Sequence, residues 1–272
     1  MLSEQRHKEI LRLLAEEGTI KTSTLCERLD TSRETVRRDL ESLEERGRLK
    51  RIHGGAVKAD PAPEASAVYT SFDQRLPLHS SDKEEVAREA ARYICEGQAI
   101  ALDSGTTSLE LARVIRQQFR SLTVVTNSLT IANELADAEG ITLVLTGGIY
   151  NAEEKAFLSD MATLILSHIS IDTLFLTTCG ISVERGITYQ RTDDIIIQSR
   201  LMEASDRTIV ITDSSKLGAN SLVKMCGIDR VSMVITDSHA PAERIKAFQE
   251  AGVNIVIANE RKERENHVTE RS

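Results

Sequence analysis

The chain has 272 residues, 40% hydrophobic and 28% charged, enough to bury a substantial core and to exclude wholesale disorder. Five Phe, four Tyr and no Trp disfavour a site built on many stacked rings. Its net charge of −8, taken over the whole chain, argues against a protein that coats nucleic acid, because phosphates call for a positive surface.

Ile10, Leu13 and Leu14 recur at helical spacing and predict a first helix of about four turns that closes at Gly18. After Thr19, Ile20 and Lys21 a short second helix is expected over 22–29, with Leu25 and Leu29 four apart. Asp30, Thr31 and Ser32 interrupt it. Thr31 with Glu34 three residues later forms a capping box, in which hydroxyl and carboxylate each satisfy an orphan backbone donor at a helix start. Val36, Leu40 and Leu43 then form the buried stripe of a third helix that ends near Gly47, a suitable left-handed cap.

The segment 48–57 is short, basic and interrupted by Gly54 and Gly55, which suits a tight hairpin. Arg46, Arg48, Lys50, Arg51 and Lys58 give residues 46–58 five basic side chains and no acidic one. Residues 1–58 thus carry a net charge of +2 and the remainder −10, so the objection from total charge does not reach the first segment. Three helices followed by a basic hairpin are the plan of a winged helix-turn-helix over 1–58. In that plan the third helix enters the major groove and its first residues meet base edges. Ser32, Arg33, Thr35, Arg37 and Arg38 occupy those positions. Arginine pairs bidentately with guanine, and hydroxyls and further arginines hold phosphates. Arg48, Lys50, Arg51 and His53 on the hairpin would lie along the neighbouring backbone, a contribution that is sequence-tolerant and salt-sensitive. The competing explanation is a solvated charged helix face; the order of cap, arginine pair, helix end and basic hairpin favours a DNA reader.

Pro61 and Pro63 mark 59–72 as an extended linker. Beyond it, apolar runs expected as strands at 99–102, 122–126, 141–145, 173–177, 208–212, 233–236 and 254–258 alternate with amphipathic stretches at 83–95, 107–119, 129–138, 193–205 and 241–251. That alternation predicts an α/β domain over 73–258, with an open, mostly parallel sheet covered on both faces. Residues 259–272 are charged and aperiodic and read as a disordered tail.

Several strand ends carry polar, glycine-containing turns. Asp103, Ser104, Gly105, Thr106 and Thr107 offer close backbone approach, hydroxyls and a helix N-terminus, the requirements for holding a phosphate or carboxylate; capping of the helix by Ser104 or Thr106 explains the same residues. Thr126, Asn127 and Ser128 follow the second strand, and Gly147 and Gly148 the third. Lys216 follows a later one and supplies a full positive charge. Ligands of open α/β sheets bind outside the carboxyl ends of strands, so these turns are expected to converge on one polar crevice.

The run from Thr31 to Leu40, with Leu43 and then His53, Gly54, Gly55 and Ala56, resembles the DNA-binding domain of the DeoR family of bacterial transcriptional regulators. The resemblance continues to about residue 258. It implies a C-terminal sensor fold similar to ribose-5-phosphate isomerase and the CoA-transferase-like superfamily, with Asp103–Thr107, Thr126–Ser128, Gly147, Gly148 and Lys216 lining or shaping an effector pocket. It also implies repression of carbohydrate catabolic genes, with operator binding weakened by a phosphorylated sugar or a derivative. The sequence departs from that family at Thr178 and Cys179, where relatives have smaller or acidic residues, at Gln198 and Ser199, where relatives carry Lys-Arg, and at Asp160, where they carry Gly. Those departures also leave room for a sugar acid.

The competing function is a sugar-phosphate isomerase with a DNA-binding appendage, for which Asp103, Asp193, Asp194 and Lys216 would be the acid–base candidates. No Ser-His-Asp order, HExxH or nucleotide fingerprint supports it, and no catalysis is expected. Cys26, Cys95, Cys179 and Cys226 make no CxxC, and the histidines are scattered, so neither cofactor nor metal is expected. No apolar stretch resembles a signal peptide or reaches bilayer length. The expectation is a cytoplasmic homo-oligomer, dimer or tetramer, whose partners are double-stranded operator DNA and a small anionic effector, with no membrane association.

Overall fold

Helix α1 (Ser3–Glu17) buries Ile10, Leu13 and Leu14 against α2 (Thr22–Leu29), which contributes Leu25 and Leu29, and α3 (Arg33–Glu45), which contributes Val36, Leu40 and Leu43. The computed structural model describes residues 3–45, 49–52, 54–58 and 70–258. Its contacts divide the chain into two units, Met1–Ala65 and Ser66–Ser272. The expected helix end at Gly47, the linker residues 59–69 and the tail 259–272 lie outside the described residues.

In the first unit β1 (Thr19–Lys21), β2 (Leu49–Ile52) and β3 (Gly55–Lys58) form an antiparallel sheet in the order β1-β3-β2. The expected hairpin is present, and β1 joins it through Ile20, whose side chain enters the core while Thr19 and Lys21 face outward. A Cβ at Gly55 would stand 2.3 Å from the Ile20 carbonyl oxygen, so only glycine lets β3 approach β1 here. The capping box is displaced. Because α3 starts at Arg33, Ser32 is the residue that accepts the Thr35 N–H, at 3.2 Å, while Glu34 turns to Arg37 and Arg38 and Thr31 donates its N–H to the Cys26 carbonyl.

The second unit begins its core one residue before the expected boundary: Phe72, placed in the linker by sequence, is 1% exposed in α4 (Phe72–Arg75). Then follow α5 (Ser80–Ala91), β4 (Ala99–Leu102), α6 (Thr106–Gln118), β5 (Leu122–Thr126), α7 (Leu129–Leu135), β6 (Ile141–Leu145), the two-residue strands β7 (Tyr150–Asn151) and β8 (Ala156–Phe157), and β9 (Ile171–Leu176). The remainder is β10 (Gly180–Ser182), β11 (Gly186–Tyr189), α8 (Thr192–Glu203), β12 (Ser205–Ile211), β13 (Val223–Cys226), β14 (Met233–Thr236), α9 (Ala242–Glu250) and β15 (Ile255–Ile257).

Seven strands form one sheet in the order β15-β14-β12-β9-β4-β5-β6, with every neighbouring pair parallel. Each central strand feeds two cores, as covered parallel sheets require. Ile100, Leu102, Val124, Phe175 and Ile209 pack toward α5, α6 and α7; Ala101, Val125, Leu174, Leu176 and Val210 pack toward α8 and α9. The chain leaves β4 toward β5 and β6, then returns to add β9 on the other side of β4. The topological switch point therefore lies between β4 and β9. A second antiparallel sheet, β10-β11-β13, stands beyond the carboxyl end of β9, in segments where the sequence pattern predicts no strand.

Candidate nucleic-acid interface and effector crevice

Helix α3 shows two faces. Val36, Asp39, Leu40 and Leu43 are buried, and Arg33, Glu34, Arg37 and Arg38 are exposed. Asp39 fixes the helix to α1: its carboxylate accepts from Arg6 Nε at 2.6 Å and Nη2 at 3.1 Å, with His7 Nε2 at 3.1 Å. Burial opposes its ionisation, but the Arg6 and His7 bonds outweigh it and hold the carboxyl below its ordinary range.

The exposed arginines differ. Arg37 donates to Glu34 at 2.9 Å and also to Glu41, and Arg38 reaches Glu34 at 3.3 Å. Hydrogen bonds from Arg37, reinforced by Arg38, bring the Glu34 pKa down to about 2. On β2, Arg51 pairs with Glu41 at 2.9 Å and its N–H donates to Glu44 at 2.7 Å, which ties the hairpin to α3. Arg33 has no ion-pair partner among the described residues. It stands at the first helical position with Ser32 and Thr35, whose hydroxyls bond each other at 2.9 Å. Arg48, His53 and the side chain of Lys50 lie outside the described residues.

In the second unit the switch point brings Asp103, at the end of β4, against Thr177, at the end of β9. Asp103 is 1% exposed. It accepts from Ser108 Oγ at 2.6 Å, Thr177 Oγ1 at 2.6 Å and Thr177 N–H at 3.1 Å. Burial pushes its carboxyl up and these bonds pull it back. Such a carboxylate is a clasp between two strand ends, with little capacity left for a ligand. A Cβ at Gly105 would fall 2.0 Å from Thr177 Oγ1, so glycine is what allows the clasp to close. Helix α6 begins directly after Gly105 with no side-chain cap; the anticipated capping by Ser104 or Thr106 is not made, and the positive end of the helix dipole at this turn favours an anion.

Lys216 sits in a 3₁₀ turn (Ser214–Lys216) after β12. The N–H of Gly218 bonds the Ile181 carbonyl at 2.7 Å, bringing this turn beside β10 and the Thr177–Cys179 turn. Two cations that sequence reading missed join it. Arg75 of α4 reaches Glu154 at 2.5 Å and the Thr70 carbonyl at 3.1 Å. Lys83 of α5, 4% exposed, donates to the Arg75 carbonyl at 2.6 Å. Burial chiefly, with repulsion from Lys216 and Arg75 against the attraction of Asp213 and Glu110, lowers the Lys83 pKa to about 8. Asp194, on α8, shares Arg75 as a neighbour: burial and Glu154 raise its pKa to about 7 against the pull of Arg191 and Arg75. Burial also pushes the Cys179 thiol up, with Arg75 and Lys216 opposing.

The remaining expected residues lie farther along the sheet. Thr126, Asn127 and Ser128 are fully buried and hold local structure: Ser128 Oγ caps α7 through the Ile131 N–H at 3.3 Å, and Asn127 Nδ2 donates to the Phe157 carbonyl at 3.2 Å. Gly147 and Gly148 follow β6 with φ of 68° and 105°. From β12 to β6 is four strand spacings, about 19 Å, longer than a monosaccharide phosphate. The strands that precede Lys216 and these glycines are thus not neighbours, and the groups brought nearest one another are Gly105–Thr107, Thr177–Cys179, Arg75, Lys83 and Lys216. Among the departures from the family pattern, Thr178 Oγ1 donates to the Gly180 carbonyl at 2.7 Å. Gln198 is 2% exposed and its Oε1 has no partner among the described residues. Ser199 is half-buried and Asp160 exposed. Of the isomerase candidates, Asp103 is closed by its clasp and Asp193 is exposed beside Arg191 at 3.3 Å.

Comparison with known proteins matches the DeoR-like helix-turn-helix domain over residues 6–62 and the DeoR C terminal sensor domain over 78–238. A putative aga operon transcriptional repressor of Escherichia coli O157:H7 is 33% identical over 94% of each chain. The HTH-type transcriptional repressor GlcR of Bacillus subtilis is 30% identical over 96% of this chain and 98% of its own. Among solved structures, ribose 5-phosphate isomerase from Plasmodium falciparum aligns with 52% of this chain and 54% of its own at 20% identity, with a TM-score of 0.38.

Proposed function

We infer the function from one premise: the chain belongs to the DeoR family of transcriptional regulators, and is a DNA-binding regulator rather than an enzyme. The first unit reads operator DNA through Arg33, Ser32, Thr35, Arg37 and Arg38, with the β2–β3 hairpin along the neighbouring backbone. The second senses a small anionic sugar, a phosphorylated one in the first instance, whose binding loosens the operator.

The observation that carries the effector reading is the meeting of Arg75, Lys83 and Lys216 at the carboxyl ends around the switch point, next to the uncapped start of α6. Three cations and the positive end of a helix dipole suit an ester phosphate. A second reading, a singly charged sugar acid, is favoured by Asp194 and Glu154, which offset part of that charge. The protein acts in the cytoplasm as a homo-oligomer in this proposal, since two reading heads on one operator gain affinity through effective concentration. No helix of the described residues is long and apolar enough to cross a membrane.

The test is an operator-binding titration against phosphorylated sugars, sugar acids and their neutral parents. One anionic compound should release the operator from wild type. The K83Q/K216Q variant should keep wild-type operator affinity and need at least tenfold more of that compound. Release by a neutral parent sugar at the same concentration, or unaltered release from the double variant, would refute the proposed crevice.

A further inference from the structure

At the start of α5, beside Lys83 of the effector crevice, four side chains that sequence scatters over 160 residues come together. His239 Nδ1 lies 3.1 Å from Asp82 Oδ1 and 3.5 Å from Asp237 Oδ1, and one ligand atom from each of the three residues lies within 4.8 Å of the other two. His79 Nδ1 is 3.0 Å from the other oxygen of Asp82. Asp237 is 0% exposed and Asp82 9%, while the His239 side chain is 70% exposed and leaves one side open to solvent.

We propose that Asp82, Asp237 and His239 form a binding site for a divalent transition-metal ion of the zinc class. Tetrahedral coordination with bonds of about 2.0–2.2 Å separates neighbouring ligand atoms by roughly 3.3–3.6 Å, close to the spacings of His239 from both carboxylates. A donor set of one imidazole nitrogen and two carboxylate oxygens selects zinc, cobalt or nickel over magnesium, which takes oxygen. The fourth position faces solvent and takes water. A dication also offsets two carboxylates that the fold has brought together largely out of water, a concentration of charge that is costly without a counterion.

The surroundings hold the ligands in place, as outer groups do at metal centres. His79 fixes the second oxygen of Asp82. Asp237 Oδ2 accepts the Ser214 N–H at 2.5 Å and Oδ1 accepts the His239 N–H at 2.9 Å, which leaves Oδ1 a second lone pair for the metal. Through Ser214, the same carboxylate anchors the turn that carries Lys216. A bound ion would thereby stiffen that turn and join α5 to the end of β14.

The experiment is a titration of chelator-treated, untagged full-length protein with Zn²⁺ by calorimetry and with Co²⁺ by visible absorption. One saturable site should appear, with a nitrogen–oxygen cobalt spectrum lacking a thiolate charge-transfer band. H239A, which removes an exposed side chain, should lower affinity at least tenfold. H79A should weaken it about tenfold, as loss of an outer-shell partner does, and substitution of the exposed His168 by Ala should leave it unchanged. Absence of a saturable site in wild type, a thiolate spectrum, or equal affinity and stoichiometry in H239A would overturn the proposal.

Discussion

Asp194 is the residue whose environment most clearly sets a pH dependence. Its carboxyl is 8% exposed, and burial with Glu154 nearby lifts its pKa to about 7, against about 3.9 in an unfolded chain. Between those values the folded protein holds a proton that the unfolded chain has lost, so stability falls as pH rises from about 4 to 7 and is level above. Lys83 acts in a different window: lowered to about 8 from about 10.4, it makes stability rise only between about 8 and 10. Asn at position 194 has no charge to bury. D194N should exceed wild type by on the order of 2 kcal/mol at pH 8 and differ little at pH 4. Urea melts of both proteins across that range check this; parallel pH profiles would show that Asp194 titrates as an ordinary surface acid.

Among the elements, α3 carries an internal opposition. Glu34, Glu41 and Glu44 occupy Arg37, Arg38 and Arg51, so in the proposed complex those arginines would exchange partners to reach DNA, whereas Arg33, with no ion-pair partner among the described residues, would have no such exchange to make. Exposed pairs of this kind are screened by water and contribute little, a modest cost beside phosphate contacts. E41Q removes one acid shared by Arg37 and Arg51, and operator affinity should rise several-fold at low salt, with the gain shrinking as salt increases. Fluorescence anisotropy over a salt series measures it; an unchanged or weakened affinity at low salt would mean that α3 does not present this face to DNA.

The same scale shows what the sequence discloses. All seven parallel strands fall on apolar runs, the central ones because both faces are buried, and Val36, Leu40 and Leu43 declare the core side of α3. Strands β10, β11 and β13 escape notice because segments of three or four residues offer no period to count. Gly105 and Asp103 are visible as a polar turn after a strand, although the Asp103 clasp on Thr177 bridges 74 residues and is set by strand order. Arg75 and Lys83 precede the first strand of the large sheet and reach the crevice only by tertiary packing, so no spacing rule singles them out. His79 and His239 stay apart for the same reason.

For the whole molecule, charge and exposed apolar surface divide the labour. The net of +2 over residues 1–58 and −10 over the rest suit a basic reading head on an acidic body that DNA repels. On the second unit Ile149, Met161, Leu164 and Ile165 are 66%, 58%, 67% and 36% exposed. They share one region: Ile149 N–H bonds Ser159 Oγ at 3.1 Å, and a Cβ at Gly148 would lie 2.9 Å from Ala162 N. The neighbouring cleft of about 560 Å³, lined by Leu164, Ile169 and Arg200, opens at the amino ends of β9 and β12, away from the effector crevice. Apolar surface of this sort marks an interface more often than it is left to water, and a second copy is the partner that the proposed two-headed reading of an operator would require. L164E places a charge at its most exposed point without touching either core. Sedimentation should then show a smaller species than wild type, and operator affinity should fall by about 10²–10⁴ as the linked second head is lost, with half-site affinity unchanged. If L164E sediments as wild type, self-association lies on another surface; if it dissociates yet binds the operator as tightly, a single head suffices.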